Sequence, residues 1–285
     1  MVMPTIQNMA QAEVAIAIEW AALEGWNPGI SDASSFYRAD PKGFFISKMG
    51  DQTVAVISAV RYGDQFGFIG LYIVHPDYRG QGFGWDIWQV GMNYLQGIPV
   101  GLDGVLAQQR NYQKSGFQFA HRNVRFSGRS RKIEQELDTA DGLIVSLNQI
   151  PFSMIQAYDR SFFPADRGGF LSSWISQSDS FALGLMRDGV LSGYGVIRPC
   201  RAGFKIGPLF ANSELVAEKL YTSLCSCVAN DSTIFLDAPE SNLRAMALVN
   251  RHQLQPMFET ARMYKGSIGN IRINDTYGIT TFELG

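Results

Sequence analysis

The stretch FIGLYIV (Phe68–Val74), HPDYRGQGFG (His75–Gly84) and WDIWQVGMNYL (Trp85–Leu95) decides how this chain is read. An apolar run of strand type ends at Val74. A turn with Pro76 and three glycines follows, and then a helical pattern whose apolar residues include Trp85, Ile87, Trp88, Met92 and Leu95. Strand, glycine-rich turn and helix together form a phosphate-binding arrangement. Glycine lets the backbone approach an anion, free N–H groups point at it, and the helix N-terminus adds partial positive charge. The nucleotide fingerprints fail on spacing. A Walker loop ends in Gly-Lys-Ser/Thr, whereas Gly84 is followed by Trp85. A G-x-G-x-x-G/A pattern read from Gly80 puts Trp85 in its last place, and read from Gly82 it puts Ile87 there.

The turn itself, Arg79-Gly80-Gln81-Gly82-Phe83-Gly84, is R-x-x-G-x-G. It resembles the pyrophosphate loop of the GCN5-related N-acetyltransferases, Q/R-x-x-G-x-G/A, and Val74-x-Pro76 resembles the usual approach to it. A plain strand-to-helix loop is the alternative. A second stretch, Tyr112 to Gly116-Phe117, resembles that family's Tyr-x-x-x-Gly-Phe, where the tyrosine protonates the departing thiolate. The order of elements agrees as well. Helices are expected over Gln11–Leu23 and Ser31–Arg38, and strands over Phe44–Lys48, Thr53–Arg61 and Phe68–Val74. After the loop and its helix come a strand at Val100–Val105, a helix at Ala107–Ser115 and a strand from Gly116 to about Phe126. The resemblance therefore covers nearly all of residues 1–127.

Composition sets the outer bounds. The 285 residues are 46% hydrophobic and 18% charged, with a formal net charge of −2, which fits a globular protein with a substantial core and suggests no nucleic-acid partner. Glu13 and Glu19 interrupt the first apolar run, so no signal peptide is expected, and no stretch approaches the ~18 apolar residues of a membrane helix. Cys200, Cys225 and Cys227 lack zinc spacing and read as buried thiols of a cytoplasmic protein. His121 and His252 have no metal partners at ligand spacing, so no metal is expected.

Beyond a basic linker the order repeats. Helical stretches at Phe152–Phe163 and Phe170–Ile175 precede a hairpin at Phe181–Met186 and Val190–Arg198 and a strand at Phe204–Phe210. A helix capped by Ser213, a strand at Ile234–Asp237, a helix at Asn242–His252 and a strand at Phe258–Tyr264 follow. Leu236-Asp237 echoes Leu102-Asp103, and Asp51 to Gly70 is spaced like Asp188 to Gly207. The expectation is an α/β (α+β) protein of two tandem copies, residues 1–130 and 138–285. Each copy would be a mixed, mostly antiparallel twisted sheet flanked by helices. In the second copy Gly207–Asn212 has no R-x-x-G-x-G, and Pro208 lacks an N–H where phosphate would need one. The whole resembles bacterial tandem acetyltransferases with one intact and one degenerate domain.

The resemblance implies an acetyl-coenzyme A-dependent N-acetyltransferase in which the amine of a small molecule or peptide attacks the thioester directly. The pantetheine arm would lie along Tyr72, Ile73 and Val74, with an N–H near Ile73 or Val74 on the acyl carbonyl. The amides of Arg79, Gly80, Gln81, Gly82, Phe83 and Gly84 would hold the pyrophosphate. Tyr112 would be the general acid, or else a tyrosine packed on the sheet. For the base, Asp103 is weighed against a helix-capping role and Glu24 against a solvated helix end. Trp26 and Asn27 are the candidate acceptor contacts, while Trp85 and Trp88 read as core. The arginines 122, 125, 129 and 131 with Lys132 read as a solvated strand end, or as contacts to the coenzyme's outer phosphate. The competing function is a non-catalytic acyl-coenzyme A sensor or partner protein. The acceptor's identity and the oligomeric state stay open.

Overall fold

The computed structural model describes residues 4–131 and 142–285, so the boundary expected between 130 and 138, and Lys132, lie outside the described residues. The first half opens with strand β1 (Thr5–Asn8) and helices α1 (Val14–Leu23) and α2 (Asp32–Ala39). Strands β2 (Phe44–Met49), β3 (Gln52–Tyr62) and β4 (Phe66–Val74) follow. Then come α3 (Phe83–Tyr94), β5 (Val100–Val105), α4 (Gln109–Lys114) and β6 (Gln118–Arg129). The second half runs β7 (Leu143–Ser146), α5 (Phe152–Asp159), α6 (Gly168–Trp174), β8 (Phe181–Arg187), β9 (Val190–Pro199) and β10 (Phe204–Ala211). It continues with α7 (Glu214–Ser226), β11 (Thr233–Pro239), α8 (Leu243–Arg251), β12 (Gln255–Lys265) and β13 (Thr276–Gly278). Strands β1, β7 and β13 are additions to the sequence reading. The first two are short edge strands and the third is three residues long, so none carries a pattern a sequence could show.

All strands join one sheet, in the order β1-β2-β3-β4-β5-β12-β6-β11-β10-β9-β8-β7, with β13 against β10. The halves have exchanged their last strands: β12 of the second lies on β5 of the first, and β6 of the first lies on β11 of the second. The seam between them is the antiparallel β6–β12 pair. Apart from β13 the path reads alike from either end, as expected of two related copies. The helices cover the sheet and bury three apolar clusters, all of which draw on both halves; the first runs from Phe36 and Phe68 to Trp174 and Phe210, the second includes Phe126 and the third Met263.

The exchange is held by charge as well as by hydrogen bonds. In the β6–β11 register Arg125 stands opposite Asp237, and in the β5–β12 register Arg262 stands opposite Asp103. Each pair is bidentate: Arg125 donates Nε and Nη2 to Asp237 at 2.7 Å, and Arg262 donates Nε at 3.0 Å and Nη2 at 2.6 Å to Asp103. The echoed Leu-Asp dipeptides are thus two copies of one joint. A further buried pair, Asp32 of α2 with Arg198 of β9, ties the first half to the second. These pairs correct the reading of the basic run, because Arg125 is buried against Asp237. Arg122 is paired with Glu259, and Arg129 donates to the Asp231 carbonyl.

Candidate active site

Three features lie at or beside one cavity. The first is the parting of β4 and β5. They pair in parallel only from Gly67↔Val100 to Ile69↔Leu102, after which no ladder pair joins them. At the parting, β4 carries a bulge: its register against β3 slips between Val56 and Ser58, and Leu71 takes a positive φ of 45°. The bulge leaves the facing edge of Tyr72–Val74 without a β5 partner.

The second feature is the start of α3. Gly80 and Gly82 have φ of 74° and 95°, conformations that tolerate glycine, and Gly82 as N-cap offers no side-chain hydrogen bond to the first turn. The first N–H groups of α3 are therefore available to an anion. Arg79 braces the loop by donating Nε to the Val74 carbonyl at 3.0 Å, and Gln81 donates to the Asp77 carbonyl at 3.0 Å.

The third is Tyr112 on α4. Its ring lies over Gly104, where a Cβ would come within 2.2 Å of it, and against Trp88 at 5.6 Å between centroids. Its hydroxyl has no hydrogen-bond partner among the described residues. Burial pushes the phenol well above its usual pKa, with the neighbouring Tyr72 adding to the effect, so it stays protonated through neutral pH.

The cavity between the β4–β5 parting and Tyr112 measures about 380 Å³; it takes in Arg79 but none of residues 80–84. Tyr72, Ile73, Val74, Arg79, Asp103, Tyr112, Glu24 and Trp26 all line it. Glu24 accepts from Arg79 at the mouth. Asn27 does not line it. Its side chain exchanges two hydrogen bonds with the backbone of Ala202, at 2.9 and 3.0 Å, and its carbonyl accepts from Lys205, so it staples the halves together. Asp103 reaches the cavity wall, but as the partner of Arg262, with Asn123 donating to the same carboxylate at 2.8 Å. Both of its oxygens are engaged with a guanidinium, and it caps no helix. Trp88 is core, whereas Trp85 is 58% exposed on the first turn of α3.

Several lining residues had no sequence signal: Phe258 and Thr260 on β12, and Phe282 and Glu283 on the segment after β13. Phe258 and Thr260 reach it because β12 is exchanged into the first half, and Phe282 and Glu283 because the segment after β13 crosses β4 at Gly70. Arg125 ties this wall together, donating to the Trp26 carbonyl at 2.5 Å and lying 4.9 Å from the Phe282 ring centroid. No metal-binding group of three or more His, Cys, Asp or Glu residues exists among the described residues. No helix among them is long and apolar enough to cross a membrane.

Two family models match. The acetyltransferase (GNAT) family model covers residues 12–117 and an acetyltransferase (GNAT) domain model covers residues 155–278. The chain belongs to the GNAT acyltransferase family, with two tandem GNAT domains. Among relatives of this GNAT chain is holothin acyltransferase of Pseudoalteromonas sp. (strain SANK 73390). The two are 28% identical over 271 residues, or 95% of this chain and 90% of that one. An uncharacterised N-acetyltransferase of Bacillus subtilis, YitH, is 28% identical over 159 residues, covering 55% of this chain and 56% of its own. In fold, a Pyrococcus horikoshii chain provisionally described as an acetyltransferase superposes with a TM-score of 0.83 at 22% identity, over 99% of this GNAT chain and 96% of that one. A tandem GNAT protein from the clavulanic acid biosynthesis pathway gives a TM-score of 0.64 at 13% identity, over 93% and 100%.

Proposed function

We propose that the chain transfers an acyl group, acetyl in the simplest case, from coenzyme A to the amine of a small molecule or peptide by direct attack within a ternary complex. The observation that carries this reading is that an unpaired strand edge and a protonated phenol open onto one cavity whose lining also includes Arg79, which leads into the uncapped start of α3. Residues 79–84 would hold the pyrophosphate on the first amides of α3, and the pantetheine arm would pair along Tyr72–Val74 as an added strand. Tyr112 would give the proton that the leaving sulfur needs. The acceptor would enter past Trp26, Leu71, Phe258 and Phe282, an aromatic and apolar wall suited to a small, flat amine. The holothin of the named relative is one candidate of that kind. The second domain would bind no coenzyme: its role is to supply the acceptor wall. The free thiols of Cys200, Cys225 and Cys227 fit a cytoplasmic setting.

The test is thiol release from acetyl-coenzyme A with a panel of amines, including holothin. Amine-dependent release supports the transferase. Tight coenzyme binding with no release for any amine would favour the sensor.

A further inference from the structure

The reaction needs a proton acceptor, and the carboxylates expected in that role are engaged elsewhere. Asp103 is locked to Arg262, and Glu24 to Arg79. A third carboxylate lines the cavity. Glu283 is only 3% exposed, its Oε2 accepts from the Thr281 hydroxyl, and its Oε1 is buried with no hydrogen-bond partner. A buried carboxylate oxygen without a partner is costly, and where it persists it calls for an explanation.

Its position is set by the backbone. The segment 279–285 leaves β13 and crosses β10 at Gly207, where a Cβ would stand 2.6 Å from the Thr280 carbonyl oxygen. It then crosses β4 at Gly70, where a Cβ would stand 1.9 Å from the Glu283 carbonyl oxygen. Gly70 immediately precedes the Leu71 bulge, the point at which β4 and β5 part. Tyr62 fastens the segment by donating to the Leu284 carbonyl at 3.0 Å, and Arg167 by donating to the Gly285 carbonyl at 3.1 Å. Glu283 is thus carried by the second domain to the head of the first domain's wedge.

We propose that Glu283 is the catalytic residue that takes the proton from the attacking amine. This rests on the transferase reading above. As the amine nitrogen bonds to the acyl carbon, one N–H proton passes to Glu283 Oε1. As the carbon–sulfur bond breaks, the sulfur keeps the bonding pair and takes a proton from the Tyr112 hydroxyl. Solvent then carries the proton from Glu283 and restores the one on Tyr112, leaving amide and free thiol. The charges that act on Glu283 are Arg125 from β6, Arg198 from β9 and Lys205 from β10. The other titratable groups around the cavity are the Glu24–Arg79 pair, Asp103 with Arg262, Tyr72 and Tyr112.

The experiment is the pH–rate profile of the full chain with an amine that is uncharged from pH 5 to 9, so that an acidic limb reports the protein. The parent should lose activity along one acidic ionisation. Glu283→Gln should lower kcat by ~10²–10⁴-fold, remove that limb, and leave coenzyme affinity by calorimetry within about twofold. A parent profile with no acidic limb, or a Glu283→Gln variant within about threefold of the parent, overturns the role. If Glu283→Gln fails to fold, Glu283→Asp decides. It keeps the charge but withdraws the oxygens by a methylene, and kcat should fall more than about tenfold at unchanged coenzyme affinity; an unaltered kcat overturns the role. Absence of thiol release by the parent with every amine would count against the transferase reading itself. An active parent with an undiminished Glu283→Gln variant would count only against Glu283.

Discussion

The two domains part their strands in the same way and then treat the opening differently. In the first, β4 and β5 pair over three residues and separate; in the second, β10 and β11 pair over Phe204–Ile206 and Ile234–Leu236 and separate. The first opening stays free. The second is filled by β13, which pairs with β10 through Leu209↔Gly278 and Phe210↔Thr276, and Ile279 donates its N–H to the Asp237 carbonyl at 2.8 Å. The helix starts differ in the same sense. The first turn of α3 has no side-chain cap, while Ser213 accepts from the Val216 N–H at the start of α7. One fold therefore leaves its strand edge and helix end open in one copy and satisfies them from within the chain in the other.

The sharpest way to break the comparison is at the exchanged strands. Arg125→Met and Arg262→Met each leave a buried carboxylate uncompensated, and each should cost ~3–5 kcal/mol of unfolding free energy in denaturant titration. Equal losses would mark the two joints as equivalent; a loss below about 1 kcal/mol at either would show that its pair does not hold the exchange. The Arg125 variant also carries a pH signature. Burial alone would raise the Asp237 carboxyl, but the charge and hydrogen bonds of Arg125 outweigh it and hold it below its usual range. A depressed folded pKa gives stability that is present above the unfolded value of ~3.9 and lost as pH falls through the folded one. The deficit of Arg125→Met should accordingly be largest near neutrality and shrink as pH is lowered toward about 4, because the orphaned carboxyl can then take up a proton. A deficit independent of pH would contradict this.

Next in size is Tyr112→Phe, which removes a hydroxyl and leaves the ring on Gly104 and Trp88. The expected result is a fall in kcat of ~10²–10⁴-fold with coenzyme affinity nearly unchanged. A fall of less than about threefold would leave water as the proton source.

The glycines beneath the crossing segment separate the domains more finely. Gly70→Ala and Gly207→Ala both drive a methyl into a backbone carbonyl and should each cost ~1–3 kcal/mol. Only Gly70→Ala should also depress kcat, since it displaces Glu283 from the open wedge. The smallest effect is expected from Ser213→Ala, about 1 kcal/mol of stability with no change in coenzyme binding, as befits a helix start that serves only itself.

Much of this comparison was legible in the sequence, and its limits have physical causes. The loop and the Tyr112 motif were readable because glycine geometry and phenol chemistry are local. The repeat showed in the spacing of Asp51–Gly70 and Asp188–Gly207. The filled wedge was misplaced: Gly207–Asn212 was aligned with the phosphate loop, but Pro208 sits inside β10 and the connection to α7 is only Asn212-Ser213. The exchange was invisible, because a strand's partner is not written in its own alternation. With it went the true setting of Asp103, Asn27 and Arg125, whose partners lie 159, 175 and 112 residues away. Glu283 stands in the short mixed stretch 279–285, too brief to show helical or strand periodicity.

The most direct measurement is the stoichiometry of acetyl-coenzyme A binding to the full chain by calorimetry, for the parent and for Gly82→Asp. The open first wedge and closed second predict one coenzyme per chain in the parent. They predict loss of that binding when a carboxylate replaces the hydrogen of Gly82 at the uncapped start of α3. Two coenzymes per chain, or one that survives Gly82→Asp at unchanged affinity, would contradict the assignment of the site to the first domain.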